Sequence, residues 1–251
     1  MRTTSVDRAR SGDTAIWLAL VAVIAPELDD PVWTGTGNSP VGQARPLIDG
    51  CTLRADGRRL TSLIARLRRV AEAADLLPPA TIGVADVEAA IRSTGPIEPV
   101  AHLASLPLLA GFRRANADGP RREWTEGWCR VCGAWPVLAE LRGLERERRL
   151  RCGRCGDDWS FPWLRCVFCC EGRHDRLGAL VPEGGGESHR VENCHECRGA
   201  LKSVATLTAL SHAEVLRKDG ETIELDWAAV DRGYRRPNGL GRSATVEIAP
   251  S

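Results

Sequence analysis

This sequence of 251 residues is poor in lysine, in aromatic side chains and in net charge. Lys202 and Lys218 are the only lysines; apart from the histidines, every other basic side chain is arginine. The formal net charge is +1. A chain whose main task is to grip a phosphate backbone carries a positive excess, so nucleic acid is not an expected partner. Gly184, Gly185 and Gly186 are not followed by the Lys and Ser/Thr of a phosphate-binding loop, and they read as a flexible hairpin tip. A membrane-length apolar run is also missing. The run from Ala15 to Ala25 falls short of the ~18 to 20 residues that a span requires. With Arg2, Arg8 and Arg10 ahead of it the start imitates a secretory leader, but Asp7 and Asp13 interrupt the basic region and Pro26 follows Ala25. The expectation is a buried helix, capped by Asp13 or Thr14 and stopped soon after Pro26.

Cysteine, by contrast, is plentiful, with ten residues, eight of them in four CxxC pairs: Cys129 and Cys132, Cys152 and Cys155, Cys166 and Cys169, Cys194 and Cys197. A CxxC turn brings two thiolates within reach of one metal ion, and two such turns close a tetrahedron of sulfur. The first two pairs are separated by 19 residues (133–151) and the last two by 24 (170–193), whereas only ten (156–165) lie between the units. Two four-thiolate sites in tandem follow from that spacing. Disulfides would more typically be scattered, so paired turns favour a reducing compartment and a cytoplasmic protein. Cys51 stands alone and reads as a small buried apolar residue.

The half before the cysteines reads as helical. Asp29 to Gly50 is rich in Gly, Pro and Asp and reads as loop. Leu60, Leu63, Ile64, Leu67, Val70, Ala71 and Ala74 then recur at helical spacing, with Arg58, Arg59, Arg66, Arg68 and Arg69 largely on the other faces, which we read as solvated. Val84 to Ser93 and His102 to Arg114 are two further helices, and His102 is read as an ordinary helix residue. Asn116 to Pro120 is a linker.

Within the cysteine region, the turns CRVCG and CGRCG carry Gly133 and Gly156 after the second cysteine, which suits a positive φ. Ala134 to Leu141 and Arg148 to Arg151 read as short strands joined by an exposed charged hairpin at Glu145 to Arg149. The second unit has Cys170 and Arg198 where those glycines stood, so its turns are expected to be more strained or differently shaped. The two-residue spacing selects Cys169 over Cys170 as ligand, and His195 is read as a surface residue. Trp124, Trp128, Trp135, Trp159 and Trp163 surround the first unit; packing of a small module is preferred over a stacking platform for single-stranded nucleic acid. Val204 to Leu210 fits a strand or a helix, Ile223 to Val230 a short helix, and Tyr234 to Leu240 an irregular tail.

The segments CRVCGAWPV, RLRCGRCGDDWSF, LRCVFCCEG and ENCHECRGALK, followed by DRGYRRPNGL, resemble the formate dehydrogenase accessory proteins that bear two rubredoxin-like iron sites. The resemblance covers about the last half of the chain; with the helical reading of the first half, it gives an α+β protein with a helical N-terminal domain (1–119), two tandem rubredoxin-like or zinc-ribbon-like metal modules (120–160 and 161–202), and a C-terminal helix and tail (203–251). It further implies a cytoplasmic assembly factor rather than an enzyme, one that binds the catalytic subunit of a respiratory formate dehydrogenase before export by the twin-arginine route. Cys129, Cys132, Cys152 and Cys155 would then bind one iron, and Cys166, Cys169, Cys194 and Cys197 another. Zinc is the alternative, because both metals accept tetrahedral sulfur, and a zinc-ribbon binding module is the competing function. A dithiol redox enzyme is a third reading, disfavoured because the pairs come in fours; no Ser/His/Asp set or carboxylate pair points to other catalysis.

Overall fold

The computed structural model describes residues 5–33, 45–75, 81–92, 98–116, 124–182, 188–237 and 244–249. The glycine-rich tip at Gly184 to Gly186, most of the linker to Pro120 and the centre of the Asp29 to Gly50 loop lie outside the described residues.

Helix α1 (Ser5–Leu28) starts earlier than the apolar run suggested, so its N-terminus is not capped by Asp13 or Thr14. It ends two residues beyond Pro26, whose missing N–H is tolerated within the last turn. Helix α2 (Gly57–Ala73) begins at Asp56, whose carboxylate accepts the Arg59 N–H at 2.9 Å. Leu60, Leu63, Ile64, Leu67 and Ala71 make its buried face. Two of its arginines are not on a solvated face: Arg59 and Arg66 both reach Glu27 of α1, itself 7% exposed, so they clamp the two helices. Helices α3 (Val84–Arg92) and α4 (Pro99–Ala115) follow. Every residue of α4 from Leu103 to Phe112 is buried, which makes it the central helix, packed by α1, α2 and α3. Gly111 permits this packing, since a Cβ there would sit 1.6 Å from the Trp33 carbonyl oxygen.

The cysteine half is built on one six-stranded sheet. Its strands are β2 (Leu138–Arg142), β3 (Glu147–Arg151), β4 (Asp158–Ser160), β5 (Leu177–Leu180), β6 (His189–Cys194) and β7 (Ala200–Thr206), in the spatial order β4-β3-β2-β7-β6-β5. Each unit supplies three antiparallel strands, and the parallel pairing of β2 with β7 fuses them. Val204 to Leu210 is thus resolved as strand up to Thr206. The charged hairpin is only partly exposed, because Arg148 lies in β3 at 4% exposure and pairs with Glu192 of β6.

Two helices, not one, follow the sheet: α5 (His212–Glu221) and α6 (Ile223–Asp231). A capping box of Ser211 and Glu214 starts α5, and Trp17 of α1 donates to the Leu216 carbonyl at 2.9 Å, tying α5 to the helical half. The chain then returns further, as β8 (Thr245–Ala249) pairs in parallel with β1 (Thr52–Asp56). Lys202 on β7 is wholly buried and holds both terminal helices to the sheet: its ammonium meets Asp219 and Asp226, each at 2.6 Å.

Candidate metal centres

Four knuckles of the same shape carry the eight cysteines. In each, the N–H of the first cysteine donates to the carbonyl five residues on: Cys129 to Ala134 at 2.8 Å, Cys152 to Asp157 at 2.9 Å, Cys166 to Glu171 at 2.8 Å and Cys194 to Gly199 at 3.0 Å. The residue after the second cysteine is left-handed in all four, with φ of 69° at Gly133, 77° at Gly156, 62° at Cys170 and 59° at Arg198. The second unit therefore does not have differently shaped turns. It forces the same left-handed residue onto side chains with a Cβ, at a cost of roughly 1–2 kcal/mol each.

The sulfurs converge as two sets: Cys129, Cys132, Cys152 and Cys155, then Cys166, Cys169, Cys194 and Cys197, with all four Sγ atoms of each set within 4.8 Å of one another. Across knuckles the Sγ–Sγ separations are 3.5 Å (Cys129–Cys155), 3.4 Å (Cys132–Cys152), 3.6 Å (Cys166–Cys197) and 3.8 Å (Cys169–Cys194). A disulfide needs about 2.05 Å. A metal–sulfur bond of about 2.3 Å gives a tetrahedron with edges of about 3.8 Å, so the donor sets fit a tetrahedral thiolate-bound metal and all eight thiols are free to bind one. Cys170 and His195 are not among the converging donors, and Cys51 is buried elsewhere, donating to the Leu47 carbonyl at 3.1 Å. His195 is exposed, as expected, and hydrogen-bonds the Tyr234 hydroxyl at 3.0 Å.

The two sets differ in their surroundings. The first is sealed, with none of its cysteines more than 2% exposed. The backbone of Leu47 and Ile48 donates to the first knuckle, at the carbonyls of Arg130 (2.9 Å) and Val131 (3.0 Å). Arg154 in the second knuckle donates to the carbonyls of Ala90 and Ile91 at the end of α3. From α5, His212 donates through Nε2 to the Gly153 carbonyl at 3.1 Å, and its ring fills the space against Gly156 that a side chain would occupy. The first centre is thus wedged between helical half and sheet. In the second, Cys169 is exposed and Cys197 reaches the surface, whereas Cys166 and Cys194 are buried.

Burial pushes the Cys129 and Cys155 thiols well up, while hydrogen bonds from the other three cysteines pull Cys132 well down. In the second set burial raises Cys166, and raises Cys197 to about 11. Cys194 is lowered: burial opposes this but is overcome by backbone N–H groups of Cys197 and Glu196. A divalent or trivalent cation would compensate the remaining thiolates.

Sequence reasoning missed His212, Lys202 and the buried Glu140. The capping-box spacing of Ser211 and Glu214 was the available sign for His212; nothing in a strand marks a lysine or a glutamate as buried. Of the tryptophans, Trp159 is buried, Trp124 stacks edge-on to Trp128 at 4.4 Å, and Trp135 meets Phe168 of the second unit at 5.2 Å. Trp163 departs from the packing expectation and is 42% exposed.

No family model matches the chain. It is similar to curated proteins named Protein FdhE homolog: one from Pseudomonas aeruginosa, 30% identical over 128 residues (49% of this chain, 40% of the relative), and one from Aquifex aeolicus, 25% identical over 123 residues (44% and 40%). The match thus spans less than half the length of these relatives. The crystal structure of the FdhE protein from Pseudomonas aeruginosa has the same fold, with a TM-score of 0.55 and 22% identity over 93% of this chain and 94% of that one. The resemblance of the chain to the formate dehydrogenase accessory family is therefore supported in sequence and in fold.

Proposed function

We propose that this chain is a cytoplasmic accessory factor that binds the catalytic subunit of a respiratory formate dehydrogenase and supports its maturation or activity, carrying iron in two four-cysteine sites. The observation that supports this reading is the pair of converged four-sulfur sets on a chain similar to FdhE homologues. Cys129, Cys132, Cys152 and Cys155 would hold one metal, and Cys166, Cys169, Cys194 and Cys197 the other. Iron in a tetrathiolate site supplies one-electron chemistry, whereas zinc in the same donors is redox-inert. The chain's own part is to hold the sulfurs at tetrahedral spacing, to keep water from the first set and to leave the second accessible. Among the described residues no helix is long and apolar enough to cross a membrane.

Two measurements test the reading. Anaerobically purified protein should gain a strong visible absorption on oxidation and contain two equivalents of iron; a colourless protein with stoichiometric zinc would refute the iron assignment. Affinity-tagged protein should retain the formate dehydrogenase catalytic subunit of its own host. Absence of that subunit, with both proteins abundant and the sites loaded, would refute the accessory role.

A further inference from the structure

A cleft of about 300 Å³ opens beside the second centre, between the sheet and the 163–168 segment that leads into its first knuckle. Its floor is a row across three strands: Ala179 on β5 lies opposite Glu192 on β6, which lies opposite Leu201 on β7. Val167 and Leu177 add apolar surface, and Cys166 and Cys194 are among the lining residues, so the cleft borders the second centre. The outer wall is Trp163 followed by Leu164, whose side chain is 70% exposed. Folding has thus left an indole and a leucine in water at the mouth of a pocket.

The charges around this apolar mouth are unbalanced. Arg148, Arg165 and Arg190 line it against one carboxylate, Glu192, which Arg148 already engages at 2.5 Å. Arg190 lies over the Trp163 ring at 5.3 Å and donates to the Ser203 hydroxyl; Arg165 is exposed and donates to the Cys170 carbonyl. Neither guanidinium has a carboxylate partner among the described residues. A third feature concerns shape. β5 is the terminal strand of the sheet and contributes to the cleft wall; among the described residues no strand pairs with its outer edge. An unpaired edge beside an apolar pocket accommodates an extended chain, whose backbone pairs with the edge while one side chain enters the pocket.

From these observations we infer that the cleft is the docking site for an extended segment of the partner polypeptide, with an apolar side chain seated between Trp163 and Ala179 and acidic residues flanking it against Arg165 and Arg190. The inference rests on the accessory reading above for the identity of the partner. It places that segment against the more open of the two metal centres, so that docking and the state of the second centre are physically coupled.

The test uses the full, metal-loaded chain with the formate dehydrogenase catalytic subunit of its host. A photo-crosslinking residue at Leu164 should couple to the subunit, at a stretch that mass spectrometry identifies as an apolar residue flanked by Asp or Glu; the same residue at Val32, an exposed position on the helical half, should give no product. Arg190→Glu combined with Leu164→Asp should weaken capture at least about tenfold, with the circular dichroism spectrum and metal content unchanged, and Arg190→Lys should retain most of it. Capture within twofold of the unsubstituted chain by the double variant, or a complex that crosslinks at Val32 but not at Leu164, would overturn the docking site while leaving the accessory role intact. Failure of the unsubstituted chain to capture the subunit would instead remove the accessory role, and this inference with it.

Discussion

Replacing Glu140 by glutamine tests how the two metal units are held together. Glu140 is fully buried on β2, beside the seam with β7. One carboxylate oxygen accepts the Thr206 hydroxyl at 2.8 Å and the Leu210 N–H at 3.0 Å; the other accepts Arg142 at 3.0 Å and Arg151. Arg151 is itself only 4% exposed. Glutamine keeps the shape but supplies one acceptor oxygen in place of two. If that oxygen faces the arginines, the Leu210 N–H is orphaned; if it faces Leu210, an amide N–H₂ points at two cations. In both cases Arg151 loses its counter-charge while remaining out of water. Removing one partner of a buried ion pair costs about 3–5 kcal/mol, well above the 0.2–1 kcal/mol of an exposed pair. At roughly 2–4 °C per kcal/mol for a chain of this size, the melting temperature should fall by about 6–20 °C. Circular dichroism melts at pH 7, with metal content measured on the same samples, read the effect. A loss below about 1 kcal/mol would mean that water reaches Arg151 and that the seam does not depend on this carboxylate.

Four further outcomes are expected. Cys170→Gly should stabilise the protein by about 1 kcal/mol against denaturant, since glycine adopts the left-handed conformation without the Cβ penalty, and should leave metal bound at the second centre; loss of that metal would make Cys170 the ligand in place of Cys169. Lys202→Met should destabilise by about 3 kcal/mol, because Asp219 and Asp226 lose the cation that holds α5 and α6 to β7, while a colorimetric metal assay finds both centres still loaded. A chelator should strip the exposed second centre about tenfold faster than the sealed first one, which release kinetics in Cys169→Ser and Cys152→Ser variants would resolve; equal rates would contradict the difference in burial. Burial raises the carboxyls of Glu27, Glu140 and Asp158, but hydrogen bonds or charges from neighbouring arginines outweigh it and hold all three below their ordinary values of 4.5 and 3.8. Their stabilisation is thus complete above those ordinary values and lost as pH falls below them through the lowered folded-state values, so melts recorded from pH 6 to pH 3 should drop steeply in the lower half and less steeply in Glu140→Gln.

Much of this architecture could be read from residue spacing. The knuckle pairs and the periodicity of Leu60, Leu63, Ile64 and Leu67 are local patterns, and local patterns survive in a sequence. Three features were not legible, each because it depends on distant parts of the chain. The parallel pairing of Leu138 with Lys202 joins strands about sixty residues apart, and neither strand's composition names its neighbour. Glu140, Arg148 and Lys202 look like solvent-facing residues until the sheet closes around them. The left-handed conformation at Cys170 and Arg198 goes against residue preference; the knuckle bonds to Glu171 and Gly199 impose it, since the thiolates cannot meet otherwise.

Likeness in fold reaches 93% of this chain, and likeness in sequence to the Pseudomonas relative reaches 49%. A buried helix such as α4 asks only that its residues be apolar and of suitable volume, so many sequences satisfy it. A knuckle asks for sulfur at two positions and a left-handed residue after the second, and few sequences do. Where the second unit departs from glycine at that left-handed position, it accepts local strain and keeps the shape, which implies that sulfur geometry outweighs backbone preference. The first centre meets the same geometry at lower cost and is enclosed on three sides, by the Leu47–Ile48 segment, the end of α3 and His212 of α5. Its knuckles tie helical half to sheet through these hydrogen bonds. The second centre lies toward the open end of the sheet, where the tail meets its last knuckle through the Arg235 N–H to the Arg198 carbonyl at 2.9 Å, beside a cleft lined by exposed apolar side chains and by Arg165 and Arg190, which have no carboxylate partner among the described residues. The first centre is therefore the one the rest of the fold encloses, and the second is the one that the docking inference places against a partner.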